Sequence, residues 1–338
     1  MPKELQLFLK DELTFREKFY KLMDLLISNQ GNFKFEAIIF MSIYYLQILS
    51  LFYSEQVQVF DPKNSKSDLF LSYLEKIIRI KNLLRNNYKG LNILIYVLLI
   101  LIIIFILYFL ISVININIQS IYSNNKKYMN FFLKLFIYFG YNIILDICFS
   151  NFCFGFSENN PNFDEIVECK GKNIIFVCII SGIFILLAFC LHIFFQIYSS
   201  DLFFYSCSFY AKMSCNYDYY MDINSLINSA LMIQTYFLTK EIFLLFNLIY
   251  SIFMFIYYIK FYFYYDSNIN LLAGIFHSLY AWTSIFCLIF AYIDFREKGI
   301  IYIISCIIIC FCYFNLKNKI EKDIFYHKSP IKIKNIYK

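Results

Sequence analysis

The stretch LNILIYVLLILIIIFILYFLISV, residues 91–113, consists almost entirely of Leu, Ile, Val and Phe and carries no charged side chain. An α-helix rises about 1.5 Å per residue, so a run of this length can cross a hydrocarbon layer of about 30 Å. Peptide groups in lipid must bond within their own segment, which favours a helix. The stretch therefore predicts a transmembrane helix.

Similar apolar blocks recur on both sides of this stretch. Apolar residues make up 60% of the chain, against about 45–50% in a soluble globular domain. The other predicted spans cover residues 35–53, 131–149, 173–198, 242–262, 271–293 and 299–316. We therefore expect an all-α fold, a multi-pass transmembrane helical bundle with interfacial amphipathic helices, located in a plasma membrane or endomembrane.

The predicted organisation has three parts. Residues 1–34 form a polar, amphipathic N-terminal segment, residues 35–316 form the membrane domain, and residues 317–338 form a basic C-terminal tail. Residues 222–238 alternate apolar with polar side chains and fit either a surface helix or a protein-lined span. The membrane domain thus has seven spans, or eight if this segment crosses. Lys and Arg in both terminal segments favour cytoplasmic termini and an even count.

Residues 68–85 predict a second kind of helix, which lies flat at the membrane surface. Its apolar side chains recur at helical spacing, whereas Glu75, Lys76, Arg79 and Lys81 interrupt the run too often for a span. The same apolar stripe could instead pack against neighbouring spans. The expected partner is the lipid bilayer, with anionic headgroups attracted by a net charge of +6. Without a recognition motif or a basic soluble domain, nucleic acid is not an expected partner.

Cys153 and Cys169 bracket an acidic loop between two predicted spans. In an oxidising space they could form a disulfide that closes this loop, and otherwise they are two free thiols. Cys148 is a competing partner for Cys169, and Cys207 with Cys215 is a second candidate pair.

Three intramembrane polar side chains stand out as candidate site residues: Asn142, Asn247 and His277. Hydrogen bonding between helices is the simpler interpretation, because an unpaired amide in lipid is costly. A ligand or ion pathway is the alternative. Lys134 and Asp146 lie near opposite ends of one span, and we expect both to extend toward the membrane surfaces.

No catalytic residue, cofactor site or metal site is predicted. The sequence contains no HExxH motif, CxxC pair, phosphate-binding P-loop or GxSxG elbow. It also places no carboxylate at the expected midplane of a span, which argues against a proton-coupled pump. We therefore expect no enzymatic activity.

The order of features resembles the membrane region of the tiny macrocysts B-like proteins, large multi-pass proteins of ciliates. The resemblance covers residues 35–295. It is carried by Tyr45-Leu46-Gln47-Ile48-Leu49-Ser50, the amphipathic segment that follows, the cysteine-bracketed loop, and Tyr264-Tyr265-Asp266-Ser267-Asn268.

Members of that family commonly continue into a cytoplasmic part with a PAS-type sensory domain, whereas the present sequence ends at Lys338. The resemblance implies a membrane sector like the input module of a sensor or receptor, and it supplies no catalytic residue. The leading functional hypothesis is a non-enzymatic scaffold or sensor-like module. A transporter or channel for a small solute or ion is the second hypothesis, and a lipid-modifying enzyme is the third.

Overall fold

The structure is a computed structural model that describes part of the chain. The described residues are 34–54, 57–78 except 58, 62 and 64, seven positions between 97 and 111, 131–150 except 132, 174–199, 216–234, 240–260, and 264–328 except 265, 294 and 296.

Every element in these residues is helical. In chain order they are α1 (Lys34–Leu49) with a 3₁₀ turn (Ser50–Tyr53), α2 (Lys66–Ile78), a π-helical turn (Phe136–Gly140) leading into α3 (Tyr141–Ser150), α4 (Ile174–Ser199), α5 (Asn216–Gln234), α6 (Lys240–Lys260), α7 (Ser267–Phe290) and α8 (Lys298–Lys328). The predicted all-helical class is confirmed for this part of the chain.

Among the described residues, three helices are long and apolar enough to cross a membrane. They contain the segments Lys240–Ile259, Asn268–Phe290 and Lys298–Leu316, of 20, 23 and 19 residues. At about 1.5 Å per residue each is close to 30 Å long. Shorter apolar helices cover Ala37–Tyr53 and Cys178–Phe194. Of the run at residues 91–113, the seven described positions are helical, and their apolar side chains are exposed.

The chain divides into two compact units, and the division falls inside α1 and α5. Unit 1 consists of Met1–Tyr44 and Arg79–Ser229, and unit 2 consists of Tyr45–Ile78 and Ala230–Lys338.

Unit 1 has its core between α3 and α4. Apolar side chains of α3, among them Ile144 and Ile147, pack with Phe184 and Ala188 of α4. Lys134 and Asp146 are buried, with 5% and 6% of their surface exposed. The expectation that both extend outward is therefore wrong, because protein surrounds them and each has an interaction within the structure.

Unit 2 is held together by aromatic side chains and close helix packing. Phe60 stacks on Phe286 with ring centroids 6.0 Å apart and meets the ring of Tyr302 at 5.2 Å. Helix α7 packs against both α6 and α8. At Gly274 of α7, a Cβ atom would lie only 1.8 Å from the hydroxyl oxygen of Tyr313 in α8. The absence of a side chain at Gly274 therefore lets α8 approach.

Helix α2 turns its polar side inward. Asp68, Ser72 and Glu75 are buried beside Leu71, whereas Phe70, Tyr73 and Ile77 are 58%, 55% and 72% exposed. The predicted stripe thus does not pack inside the protein. Asp68 and Glu75 have interactions in the interior, and the exposed apolar side is available to lipid.

Asp68 connects α2 to the start of α8. Its Oδ1 accepts a 2.7 Å hydrogen bond from the backbone N–H of Gly299, one of the otherwise unpaired donors at a helix N-terminus. A Cβ at Gly299 would lie 2.4 Å from that Oδ1 and 2.9 Å from the backbone nitrogen of Asp68. Burial raises the pKa of this carboxyl, although the Ser65 hydroxyl, the Gly299 amide and Lys298 oppose the shift.

Two boundaries depart from the sequence prediction. Helix α7 begins at Ser267, several residues early, because the side chain of Asp266 accepts from the N–H groups of Asn268 and Ile269. Helix α8 continues through Lys328, into the part predicted as a tail. Lys and Arg have high helix propensity, so the end of an apolar block need not be the end of a helix.

Candidate functional site

Helix α5 of unit 1 carries buried polar side chains on two sides. Asp222, Ser225 and Ser229 follow each other at helical spacing and are 5% exposed or less. Asn224 and Asn228 are also fully buried, and Asn228 donates to Asn224 through a 2.9 Å hydrogen bond. These polar side chains are therefore in contact with protein on both sides of α5.

His192 of α4 and Asp222 of α5 form the centre of this cluster. The imidazole Nδ1 lies 3.1 Å from Asp222 Oδ2, and both side chains are fully buried. The other ring nitrogen, Nε2, lies 2.8 Å from the backbone carbonyl oxygen of Ile137. These two contacts fix both the position and the orientation of the ring.

The Ile137 carbonyl belongs to the π-helical turn Phe136–Gly140. In a π-turn the backbone hydrogen bonds join residues i and i+5 instead of i and i+4. The regular pattern of helical hydrogen bonds is interrupted there, and a backbone carbonyl can accept from a side chain. Such turns occur often at functional sites. The local distortion of the helix that leads into α3 thus supplies the acceptor for His192.

Two tyrosines complete the surroundings of the pair. The Tyr44 hydroxyl donates to Asp222 Oδ1 at 3.4 Å. The Tyr141 ring stacks on the His192 imidazole with centroids 3.9 Å apart and planes at 11°. The hydroxyl of Tyr141 is buried and has no hydrogen-bond partner among the described residues, and the same holds for the hydroxyl of Ser225.

A second buried carboxyl, that of Asp146 in α3, contacts α5 farther along that helix. Ser229 donates to Asp146 Oδ1 of α3 at 3.4 Å. In the residues that the structure describes, no group of three or more His, Cys, Asp and Glu side chains could hold a metal ion. The cluster is a set of hydrogen-bond donors and acceptors in the interior of unit 1.

The predicted site residues lie in different places. Asn142 is buried in unit 1, whereas Asn247 and His277 are buried in unit 2. The loop between Cys153 and Cys169 and the pair Cys207 and Cys215 lie outside the described residues. Cys148 is a buried free thiol.

Asn247 links two helices of unit 2, as predicted. Its Oδ1 accepts a 2.5 Å hydrogen bond from the Tyr280 hydroxyl of α7, and its Nδ2 donates to the Phe243 carbonyl of its own helix α6. His277 lies between aromatic rings, 5.3 Å from that of Tyr258 and 5.0 Å from that of Phe276.

The polar strip of α7 near His277 also bonds to a neighbouring helix. Trp282 Nε1 donates to Ser305 Oγ at 2.8 Å, and Thr283 Oγ1 is 2.7 Å from the Tyr302 hydroxyl, which is 2.9 Å from that of Tyr53. Side-chain hydrogen bonds thus join neighbouring helices at Asn247, Trp282 and Thr283.

The sequence interpretation missed the pairing of His192 with Asp222. His192 lies in the predicted span 173–198 and Asp222 begins the segment 222–238, and nothing in the sequence indicates that the two side chains meet. The available signal was a histidine within an otherwise apolar run, which needs a polar partner if it is buried. The carboxyl group that provides it lies 30 positions away and can be identified only from the packing.

No family model, curated protein or solved structure matches this chain.

Proposed function

We propose that this chain is a multi-pass integral membrane protein whose helical bundle serves as a non-enzymatic scaffold or sensor-like module. The observation that carries the proposal is an inverted distribution of polarity. Large apolar side chains face outward along whole helices, and polar side chains are buried.

Helix α6 shows the outward apolar side most clearly. Six exposed side chains recur every three or four positions, and Phe253 adds a seventh beside them. The six are Ile242, Leu245, Ile249, Ile252, Ile256 and Ile259. Covering a side chain of this kind is worth about 1.5–3 kcal/mol. A continuous stripe of seven is far more than a soluble monomer leaves in water, so lipid is the expected cover.

Helix α8 has an even larger outward surface. Only 17% of the apolar segment of α8 is buried, compared with 33% of that of α6 and 50% of that of α7. The exposed side chains include Ile304, Ile307 and Phe311. Helix α7 is thus the central helix of unit 2, with α6 and α8 presenting apolar surfaces on either side.

The sensor-like role rests on two supports. The first is the resemblance to the membrane region of the tiny macrocysts B-like proteins. The second is the buried polar cluster of unit 1, since such groups in a membrane protein commonly mark functional positions. The bilayer itself is the proposed partner, with anionic headgroups near the basic segments.

A transporter or channel is the second candidate function. It is favoured by the polar side of α5, where Asp222, Ser225 and Ser229 lie in the protein interior. A solute pathway needs polar groups of this kind at depth.

Tryptophan quenching by brominated lipids tests the membrane assignment. The chain has one tryptophan, Trp282, which is half-buried on α7. In a Trp282→Phe background, Ile249→Trp places a probe on the exposed side of α6. We expect strong quenching by lipids brominated deep in the acyl chain, and weaker quenching of Trp282 in the unaltered chain. Equal, weak quenching of both would contradict the assignment.

Proteoliposomes distinguish the two functions. Vesicles containing the purified chain and a pH-sensitive or ion-sensitive dye are given an ion gradient. A scaffold or sensor should leave the leak at the level of empty vesicles. A leak that depends on the protein and falls in Asp222→Asn would favour the transporter or channel.

A further inference from the structure

The partner of one ring nitrogen of His192 shows that this nitrogen carries a hydrogen atom. Its Nε2 lies 2.8 Å from the Ile137 carbonyl oxygen, and a carbonyl can only accept. Nε2 must therefore be the donor. In a neutral imidazole the other nitrogen, Nδ1, then carries a lone pair and no hydrogen.

That lone pair would face the Asp222 carboxyl. Nδ1 and Oδ2 are 3.1 Å apart, a hydrogen-bond distance. An ionised carboxylate offers only lone pairs. A neutral histidine and an ionised aspartate would therefore present two acceptors to each other, which is unfavourable in a dry interior.

We propose that His192 and Asp222 form a binding site for one proton, held between Nδ1 and Oδ2. The proton comes from water and adds one positive charge to the pair. Whether it is bonded to nitrogen or to oxygen, the pair then has a net charge of zero, and a hydrogen bond replaces the contact between two acceptors.

Burial favours the proton-loaded pair. Both side chains are fully buried, and an uncompensated charge in such surroundings is strongly disfavoured. The other buried charged side chains in the described part of unit 1 are Lys134 and Asp146, which have opposite signs. With one proton on the His192–Asp222 pair, the charges of these buried side chains sum to zero.

Neighbouring groups contact the pair from other sides. From α1, the Tyr44 hydroxyl donates to Oδ1 of Asp222. From α3, the Tyr141 ring covers one face of the imidazole without occupying Nδ1. Asp146, the titratable group that α3 contributes to the cluster, accepts from Ser229.

The site makes the contact between α4 and α5 dependent on the proton. Loss of the proton would leave two acceptors at 3.1 Å, so the two side chains should separate. This site belongs to unit 1 and does not depend on the function proposed above.

Nitrogen NMR of the full-length protein in detergent tests the site. The chain has three histidines, so ¹⁵N-histidine labelling gives three imidazoles, and His192→Gln identifies the signals of His192. At neutral pH we expect a protonated Nε2 and an Nδ1 shift typical of a protonated or strongly hydrogen-bonded nitrogen. A non-protonated Nε2, or an Nδ1 with a free lone pair, would overturn the proposal.

Two substitutions of Asp222 separate the site from the fold. Asp222→Ala should shift Nδ1 to the free lone-pair value. If that variant does not fold, Asp222→Asn keeps the shape and donates an amide hydrogen, so Nδ1 should move only part of the way. Asp146→Asn is the matched control and should leave the His192 signals unchanged. An Nδ1 signal that is the same with and without the Asp222 carboxyl would refute the shared proton.

Discussion

Asp68 combines two opposed effects in a single side chain. Its Oδ1 satisfies the Gly299 amide, while its other oxygen, Oδ2, is buried with no hydrogen-bond partner among the described residues. The carboxyl is therefore useful as an acceptor and costly as a charge. Replacing it by different side chains should separate these contributions.

We predict that Asp68→Ala lowers the stability of the protein more than Asp68→Asn does, by about 1–3 kcal/mol. Alanine leaves the buried Gly299 N–H without an acceptor, whereas asparagine keeps an oxygen there. Thermal unfolding in detergent at one pH measures the difference. Equal stabilities of the two variants would contradict the role of this hydrogen bond.

The same residue predicts a dependence on pH. Burial raises the pKa of Asp68 above its value in the unfolded chain. Its contribution to stability is therefore fully present below the unfolded pKa and is lost as pH rises through the folded pKa. Wild-type protein should lose this stability with rising pH, and Asp68→Asn should not. If the stability of the two proteins changes with pH in the same way, folding does not raise the pKa of Asp68.

Gly299 is a position where a methyl group has no room. In Gly299→Ala the new Cβ would meet Asp68, including its backbone nitrogen, so α2 and α8 would have to move apart. We expect a loss of about 1–3 kcal/mol. Gly140→Ala is the matched control, since its Cβ would meet nothing closer than 3.7 Å. A comparable loss in both variants would point to backbone effects and away from the contact.

Helix α2 provides the prediction for a whole element. Because Tyr73 is exposed on its apolar side, Tyr73→Trp in a Trp282→Phe background should report on lipid near that helix. An interfacial helix penetrates only about 5–10 Å. We expect stronger quenching by lipids brominated near the headgroup than near the chain end. The reverse order, or no quenching, would contradict a surface position.

The bounds of the long apolar helices were the most predictable feature of the fold. Long apolar blocks define their own bounds, so α4 and α6 begin and end within two residues of the predicted spans. The hydrophobic pattern of α2 predicted which side chains share a face, but not which face would be buried in the protein. In water the apolar face would be buried, and only the packing shows that Asp68 and Glu75 point inward.

The site was less predictable because it depends on contacts between distant segments. Asn247 could be identified because an amide within an apolar run needs a partner, although Tyr280 could not be named as that partner. The His192–Asp222 pair joins two helices and depends on a carbonyl of a π-helical turn. No periodicity in the sequence indicates such a turn.

The proposed membrane position of α6 leads to a further prediction. Ile249 is near the middle of the exposed side of α6 and is 63% exposed. A lysine at the centre of a transmembrane helix costs about 2.5–3.5 kcal/mol. Ile249→Lys should therefore reduce the fraction of protein that remains in membranes after alkaline extraction.

The control for that prediction is Ile259→Lys, at the end of the same apolar segment. A lysine there can extend its amino group to the interface. It should behave like the unaltered protein. If Ile249→Lys is retained equally well, α6 does not cross the membrane with this side toward lipid.

The bond between Asp68 and Gly299 also constrains the order of events during biosynthesis. Its two residues are 231 positions apart in the chain. At translation rates of about 5–20 residues per second, the carboxyl must wait on the order of tens of seconds before its partner is synthesised. During that interval α2 can contact the 3₁₀ turn Ser50–Tyr53 but not α8. We therefore expect the carboxyl of Asp68 to remain accessible to water until α8 has been synthesised.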